Sequence, residues 1–535
     1  MNPRKDLSVT RIVSTLVGVP LILFAAFVVP LSVSVAQEAS ERPPNIVFFL
    51  VDDLGWSDVG VFGSTFYETP NIDRLAEQGV RFTNAYAAAH VCSPTRAALM
   101  TGKYPARLRL TDWLPGRPGR DFERLLSGEK LAALPLGEFT LAEALKEHGY
   151  RTGIFGKWHL GDGEAGPLHQ GFDVQVPRFY GSTPRGGYFP PYRMEGLIVE
   201  GEPDEYLTDR VTDFAVEFIE QSHEEPFFLY LSLFSVHDPI EGRPDLVLHY
   251  REKLKAAQAP VGPAYSLEGN PDDPEPLTLA QLDALGQEPS HREYRVLPRS
   301  TVKIKQHQDN VQFAAMVTAV DDSMGRVLST LEELELSENT IVVFYSDNGG
   351  MAAANFGNPD RVVDPGELDV AYSTSNLPLR GAKGWLYEGG IRVPLIVRWP
   401  GGGQAGAVRD EPVISTDFYP TLLEMAGLPA RPDQHVDGVS FTAALQGGAF
   451  ERDAIFWHFP HYSNHGMQSP GGAIRDGAYK LLEYFENGTV QLFDLQNDPG
   501  EQHDLVAEEP EKAAELRARL HNWRESVSAA MTTVR

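Results

Sequence analysis

Carboxylates, amides, lysines and histidines fall directly after short apolar runs in this 535-residue chain. Asn45-Ile46-Val47-Phe48-Phe49-Leu50-Val51 leads into Asp52-Asp53, and Thr340-Ile341-Val342-Val343-Phe344-Tyr345 leads into Ser346-Asp347-Asn348-Gly349. Adjacent carboxylates repel one another unless a cation offsets them. Asp52, Asp53, Asp347 and the amide oxygen of Asn348 form an all-oxygen donor set, which favours calcium or magnesium over zinc. Either pair alone also suits turn chemistry, but both together suit it poorly. A third run, Thr152 to Phe155, ends in Gly156-Lys157-Trp158-His159, where strand-like alternation would turn Lys157 and His159 to one face. A fourth, Pro226 to Ser232, leads to Phe234-Ser235-Val236-His237-Asp238-Pro239 and offers His237 for proton transfer. Lys383 sits between Gly381 and Gly384, which permit close approach of backbone to a ligand. Cys92 is the one cysteine, so it has no internal disulfide partner, and it opens Cys92-Ser93-Pro94-Thr95-Arg96 at the start of a helical pattern. A free cysteine is ordinarily buried and inert. Arg96, Lys157, Lys383 and a divalent cation would together stabilise charge spreading over the oxygens of a reacting anion.

The elements that must hold these residues are legible from periodicity. Apolar runs rich in β-branched and aromatic residues alternate with helical patterns at Thr140 to His148, Asn310 to Leu334 and Ser415 to Ala426, the first opening on a Thr-x-x-Glu capping box. That alternation predicts an α/β domain with a large, mostly parallel sheet sandwiched by helices. Ligands bind beyond the carboxyl ends of such strands, which is where the reactive residues fall. Residues 258–296, with Pro260, Pro263, Pro271, Pro274, Pro276 and Asp272-Asp273, read as an inserted loop or lid. After about residue 440 shorter strands (Ala454 to Phe459, Gly477 to Phe485, Val490 to Leu495) and a charged helix from Glu509 to Val527 predict a small antiparallel subdomain closed by a helix.

Composition bounds the setting. Arg4, Lys5 and Arg11 precede an apolar stretch from about Ile12 to Val33 and then Ser34-Val35-Ala36, the pattern of a secretory signal peptide over 1–36; the run is also long enough for an uncleaved membrane anchor. The folded part is expected outside the cytoplasm, periplasmic or secreted. The formal net charge is −28, and loss of residues 1–36 makes it more negative. Such a field disfavours nucleic acid and anionic membranes as partners. An anionic substrate would need the local cations named above. The organisation expected is 37–440 as the catalytic domain and 441–535 as the C-terminal α+β subdomain.

The motifs together resemble the formylglycine-dependent type I sulfatases, arylsulfatase A-like members of the alkaline phosphatase superfamily. They run in family order over nearly the whole mature chain: Pro44-Asn45-Ile46-Val47 into Asp52-Asp53-Leu54-Gly55; Cys92-Ser93-Pro94-Thr95-Arg96; Gly149 to His159; Ser346-Asp347-Asn348-Gly349; and Leu379-Arg380-Gly381-Ala382-Lys383 before Tyr387 to Pro394. The resemblance implies an alkaline phosphatase-like fold and hydrolysis of sulfate monoesters, on sulfated carbohydrates or aryl sulfates. It implies one calcium ion held by Asp52, Asp53, Asp347, Asn348 and the modified Cys92. It further implies conversion of Cys92 to formylglycine by a formylglycine-generating enzyme, its hydrate acting as nucleophile. Arg96 and Lys157 would steady that hydrate, Lys383 would hold sulfate, His237 would serve as general acid, and His159 would take the proton when sulfate leaves. The alternatives are a phosphonate or phosphodiester hydrolase of the same superfamily, some of which share Cys-x-Pro-x-Arg, and a binder of sulfated glycans in which Cys92 stays a thiol.

Overall fold

The computed structural model describes residues 42–197, 202, 205–258, 260–287, 301–353, 372–465 and 468–535. The signal-peptide segment and the end of the 258–296 insert lie outside them. The strand Asn45–Val51 (β1) is wholly buried and alternates between two cores. Val47, Phe49 and Val51 point into one, and Ile46, Phe48 and Leu50 into the other. That double burial is why the run is apolar without a break, as in a parallel sheet covered on both faces.

Eight further strands complete the main sheet: Val80–Tyr86 (β2), Arg151–Gly156 (β3), Val174–Val176 (β4), Phe227–Ser232 (β5), Thr340–Ser346 (β6), Arg392–Arg398 (β7), Ala407–Arg409 (β8) and Val413–Ile414 (β9). Their order is β8-β2-β7-β6-β1-β5-β3-β4, with β9 also on β2. β7 runs antiparallel to both neighbours, whereas β6, β1, β5, β3 and β4 are mutually parallel. The helices Leu207–Ser222 and Val311–Glu333 fill one layer; the Asn310 side chain caps the second by accepting from the amides of Gln312 and Phe313. Cys92–Thr101, Leu141–Glu147 and Phe418–Met425 fill the other layer. Thr140 and Glu143 form the expected capping box.

The C-terminal sheet is antiparallel, in the order Ile455–Phe459 (β10), Gly471–Asp476 (β11), Tyr479–Tyr484 (β12) and Val490–Asp494 (β13). The helix Pro510–Ser526 closes it through Ala513, Leu516 and Leu520. β11 escapes the sequence reading because it begins Gly471-Gly472 after Ser469-Pro470, and glycine and proline there read as a turn. The segment expected as an inserted loop is more ordered than its prolines suggest. It carries the strand Tyr265–Gly269 and the helix Leu279–Gln287. The strand's partner, Thr301–Lys305, lies beyond the segment, so no local pattern reveals the pairing. Among the described residues, no helix is long and apolar enough to cross a membrane.

Candidate active site

Parallel pairing of β6, β1, β5 and β3 brings their carboxyl ends side by side, and the residues that follow converge. Asp52 continues β1 and is fixed by its amide donating to the Ser235 carbonyl (2.9 Å) and its carbonyl accepting from Val236 (2.7 Å). Asp347 continues β6 with its amide on the Val51 carbonyl, 3.2 Å away. Lys157 follows β3, its amide donating to the Ser232 carbonyl at 2.7 Å. That close crossing requires Gly156, which has φ +108° and a backbone so near β5 that a Cβ would meet the Ser232 carbonyl oxygen at 1.9 Å. Strand alternation therefore ends at Gly156, and His159 is aimed by its own left-handed backbone, φ +59°, rather than by the pleat expected from the sequence.

Cys92 begins a helix that is buried along its whole length, and Arg96 lies one turn later on the same face. The thiol Sγ stands 3.5 Å from Asp52 Oδ1 and 3.6 Å from Lys383 Nζ. Burial, and then Asp52, push the thiol up to about 12, so it is protonated at neutral pH. Arg96 donates from Nε to Asp347 Oδ2 (2.8 Å), and from Nη1 to the Lys157 carbonyl (2.9 Å) and Ser232 Oγ (2.6 Å). In this arrangement it ties three strand ends together. Lys157 Nζ lies 2.5 Å from Asp52 Oδ2, and Lys383 Nζ lies 2.6 Å from Asp53 Oδ1.

Burial pushes the carboxyls of Asp52 and Asp53 up, but Lys157, Lys383 and His237 outweigh it and leave both below their ordinary values. Asp347 is raised by burial and by Asp52, against the pull of Arg96. His237 Nε2 is 3.7 Å from Asp53 Oδ2, and its Nδ1 is 3.1 Å from Asp238 Oδ1. His159 Nε2 donates to the Leu114 carbonyl at 2.6 Å, which leaves Nδ1 buried without a partner. Burial, reinforced by Lys157, holds this imidazole neutral.

Asp52, Asp53, Cys92 and His237 each present a donor atom, all within 4.8 Å of one another, a cluster able to hold a metal ion. Asn348 donates Nδ2 to Asp53 Oδ1 at 2.8 Å, and its Oδ1 is buried without a partner. An orphaned amide oxygen beside three carboxylates fits a hard cation such as calcium or magnesium. All ten sequence-predicted residues, Asp52, Asp53, Cys92, Arg96, Lys157, His159, His237, Asp347, Asn348 and Lys383, are buried at this one end of the sheet.

Sequence reasoning missed His90 and His465. His90 carries the loop of Lys383, its carbonyl accepting from the Gly384 amide at 3.0 Å, and burial pulls its imidazole down to about 3. His465 comes from the connection between β10 and β11 and packs so closely on Gly384 that a Cβ there would meet the His465 Cβ at 2.6 Å. Its imidazole is depressed by burial, and then by Lys383 and His237. Only the tertiary fold brings it here; the sequence around it carries no motif.

A family model described as "Sulfatase" matches residues 44–428. This chain belongs to the sulfatase family, whose members are sulfuric ester hydrolases. A second model, "N-sulphoglucosamine sulphohydrolase, C-terminal", matches 382–528. A sulfatase of Formosa agariphila is 30% identical over 94% of this chain and 92% of its own length. Human arylsulfatase A is 29% identical over 91% and 87%. Among solved structures, Ps i-CgsB superposes with a TM-score of 0.67 at 27% identity, covering 90% of this chain and 93% of that one; it has also been crystallised with k-i-k-neocarrahexaose. The sulfatase therefore has the mixed, mostly parallel sheet and small C-terminal antiparallel sheet of its relatives.

Proposed function

We propose that this sulfatase removes sulfate monoesters from sulfated carbohydrates through a formylglycine made from Cys92, with one calcium ion. The observation that carries this reading is the convergence on Cys92. Its Sγ lies between a carboxylate oxygen of Asp52 and the ammonium of Lys383, within the reach of His237, on a helix whose Arg96 binds the next carboxylate. Asp52, Asp53 and Asp347 are balanced by Lys157, Lys383 and Arg96, so a divalent ion would leave net positive charge for an anionic ester and an anionic nucleophile.

Asp52, Asp53, Asp347 and Asn348 would hold calcium, which supplies Lewis-acid stabilisation of charge on oxygen. A hydrated aldehyde at position 92 offers one hydroxyl to attack sulfur and a second whose deprotonation expels sulfate. Arg96 and Lys157 would steady the hydrate, and Lys383, whose Nζ already lies 3.6 Å from the Cys92 Sγ, would hold non-bridging sulfate oxygens. His237 gives a proton to the departing alcohol oxygen, and Asp238 Oδ1 orients its Nδ1 side. His159, kept neutral, accepts at Nδ1 the proton released when sulfate leaves, while the Leu114 carbonyl fixes its tautomer. Phosphodiester cleavage and sulfated-glycan binding without turnover are the outcomes that would displace this reading.

The site asks for a formylglycine-generating enzyme as maturation partner. Arg4, Lys5, Arg11 and the apolar run ending near Ala36 support export to the periplasm or beyond. The test is mass spectrometry of the tryptic peptide Phe82 to Arg96 from protein made in an exporting host, followed by calcium titration of the same sample. An aldehyde at Cys92 and a melting temperature that rises with calcium are expected. A thiol in active protein would remove the nucleophile from the scheme, and a melting temperature indifferent to calcium would remove the ion.

A further inference from the structure

Two cavities of different character are lined by residues that contact the catalytic ones, His465 in the first and Leu114 in the second. One, of about 350 Å³, is walled by Ser463 and His465 and carries the carboxylates of Glu123, Asp272, Asp273 and Glu486. Its cations are Arg117, already engaged by Glu123 and by the Tyr462 carbonyl, and Arg120, 5.9 Å from the Phe122 ring centroid. The other, of about 780 Å³, is lined by Lys130, Arg178 and Arg185 against a single carboxylate, Asp162, among its described residues. In a chain of net charge −28, three cations gathered in one cleft run against the general field.

This second cleft touches the catalytic machinery on two sides. Leu114 lines it; the same residue accepts from His159 Nε2 and donates its amide to Ser93 Oγ at 3.1 Å, beside Cys92. Phe179 also lines it and meets the ring of Phe234 at 6.1 Å. The Phe234 carbonyl accepts from the His237 amide at 3.1 Å. The cleft is thus linked to His237, the residue proposed to protonate the leaving alcohol, through Phe179 and Phe234.

Its cations are available to a ligand. Arg178 makes a solvent-exposed pair with Glu195 at 3.4 Å, the weak kind that a ligand can displace. Arg185 is exposed, its guanidinium 5.8 Å from the Phe179 ring centroid. Lys130 donates to the Pro115 carbonyl at 2.6 Å and keeps further N–H groups. Guanidinium forks beside an aromatic face suit the oxygens of a carboxylate or a sulfate.

We propose that the cleft of Lys130, Arg178 and Arg185 is a subsite for a second anionic group of the substrate, a carboxylate or a further sulfate on the departing sugar or its neighbour. The enzyme then selects polyanionic oligosaccharides over simple sulfate esters. This inference rests on the sulfatase reading above.

The test compares wild type with the double variant Arg178→Ala, Arg185→Ala on 4-nitrophenyl sulfate, a monosulfated glycosaminoglycan disaccharide with a free uronate, its uronate methyl ester, and a disulfated disaccharide. The ratio of kcat/KM for an anionic disaccharide to that for the aryl sulfate should fall about tenfold in the double variant. A wild-type preference for the free uronate over its ester would assign the subsite to a carboxylate. A preference for the disulfated compound that survives esterification would assign it to sulfate. A ratio unchanged by the double substitution overturns the proposal. If wild type turns over none of the four, the sulfatase reading fails by itself, and calorimetric binding of the disulfated disaccharide decides the subsite. Tighter binding to wild type than to the double variant then supports it, and equal binding overturns it.

Discussion

His237 faces Asp53 through Nε2 and Asp238 through Nδ1, so a proton on Nε2 stands at the mouth of the carboxylate cluster rather than in solvent. General-acid help matters in proportion to how poor the leaving group is. His237→Ala should slow release of sulfate from an alkyl sugar by about 10²–10⁴-fold, while a nitrophenyl sulfate, whose phenolate leaves unaided, is slowed far less. Equal losses on the two esters, measured as kcat, would take the proton-donor role from His237. At this scale the sequence was most informative. A carboxylate pair, a Lys-x-His and a lone cysteine before Pro94 and Arg96 are local patterns; the first two follow apolar runs that read as buried strands, and the third opens a helical pattern. The exact aim was not local: Lys157 and His159 reach the site because Gly156 lets β3 press on β5, a contact with no trace in the alternation of the sequence.

At the scale of elements, the C-terminal sheet and its helix meet over an apolar seam at whose edge one carboxylate gathers three cationic side chains. Glu483 on β12 receives Arg517 Nε at 2.7 Å and His521 Nε2 at 2.8 Å, and Arg524 pairs with it as well. Burial opposes ionisation of Glu483, but Arg524, Arg517 and His521 overcome it and draw the group from 4.5 to about 2. A depressed carboxylate contributes stability above its unfolded value and loses it as pH falls toward its folded value. Between pH 6 and pH 3 the wild type should lose about 2 kcal/mol that Glu483→Gln does not, read from urea midpoints at the two pH values. Identical pH slopes for both proteins would show that the cluster contributes nothing. Such clusters are invisible in sequence because Glu483 and Arg524 are joined only by the fold. The same holds for β11, whose two glycines are strand residues only because β10 and β12 flank them.

For the whole molecule, the two sheets are joined through their interiors. Lys480 of β12 reaches Glu388 at 3.0 Å and Glu501 at 2.9 Å, all fully buried, and Glu388 accepts from the Tyr86 hydroxyl at the end of β2. Trp457 of β10 donates to the Ala87 carbonyl at 2.8 Å. Residues 42–535 should therefore melt in one calorimetric transition, and Lys480→Met, which removes the ammonium shared by two buried carboxylates, should lower the whole transition by about 3–5 kcal/mol. Two resolved transitions, with only one moved by the substitution, would show the sheets to be independent. Overall architecture was readable from the alternation of runs and helices, whereas this seam is made of single residues far apart in the chain.

Cys92 is 2% exposed, the first residue of a helix buried along its whole length. An enzyme acting on that side chain cannot reach it in the finished fold, so the proposed oxidation has a deadline, the moment the central sheet closes. A chain that folds too early would keep its thiol for the life of the molecule. Maturation would then be a race between folding and modification, won only while the segment around Cys92 is still extended.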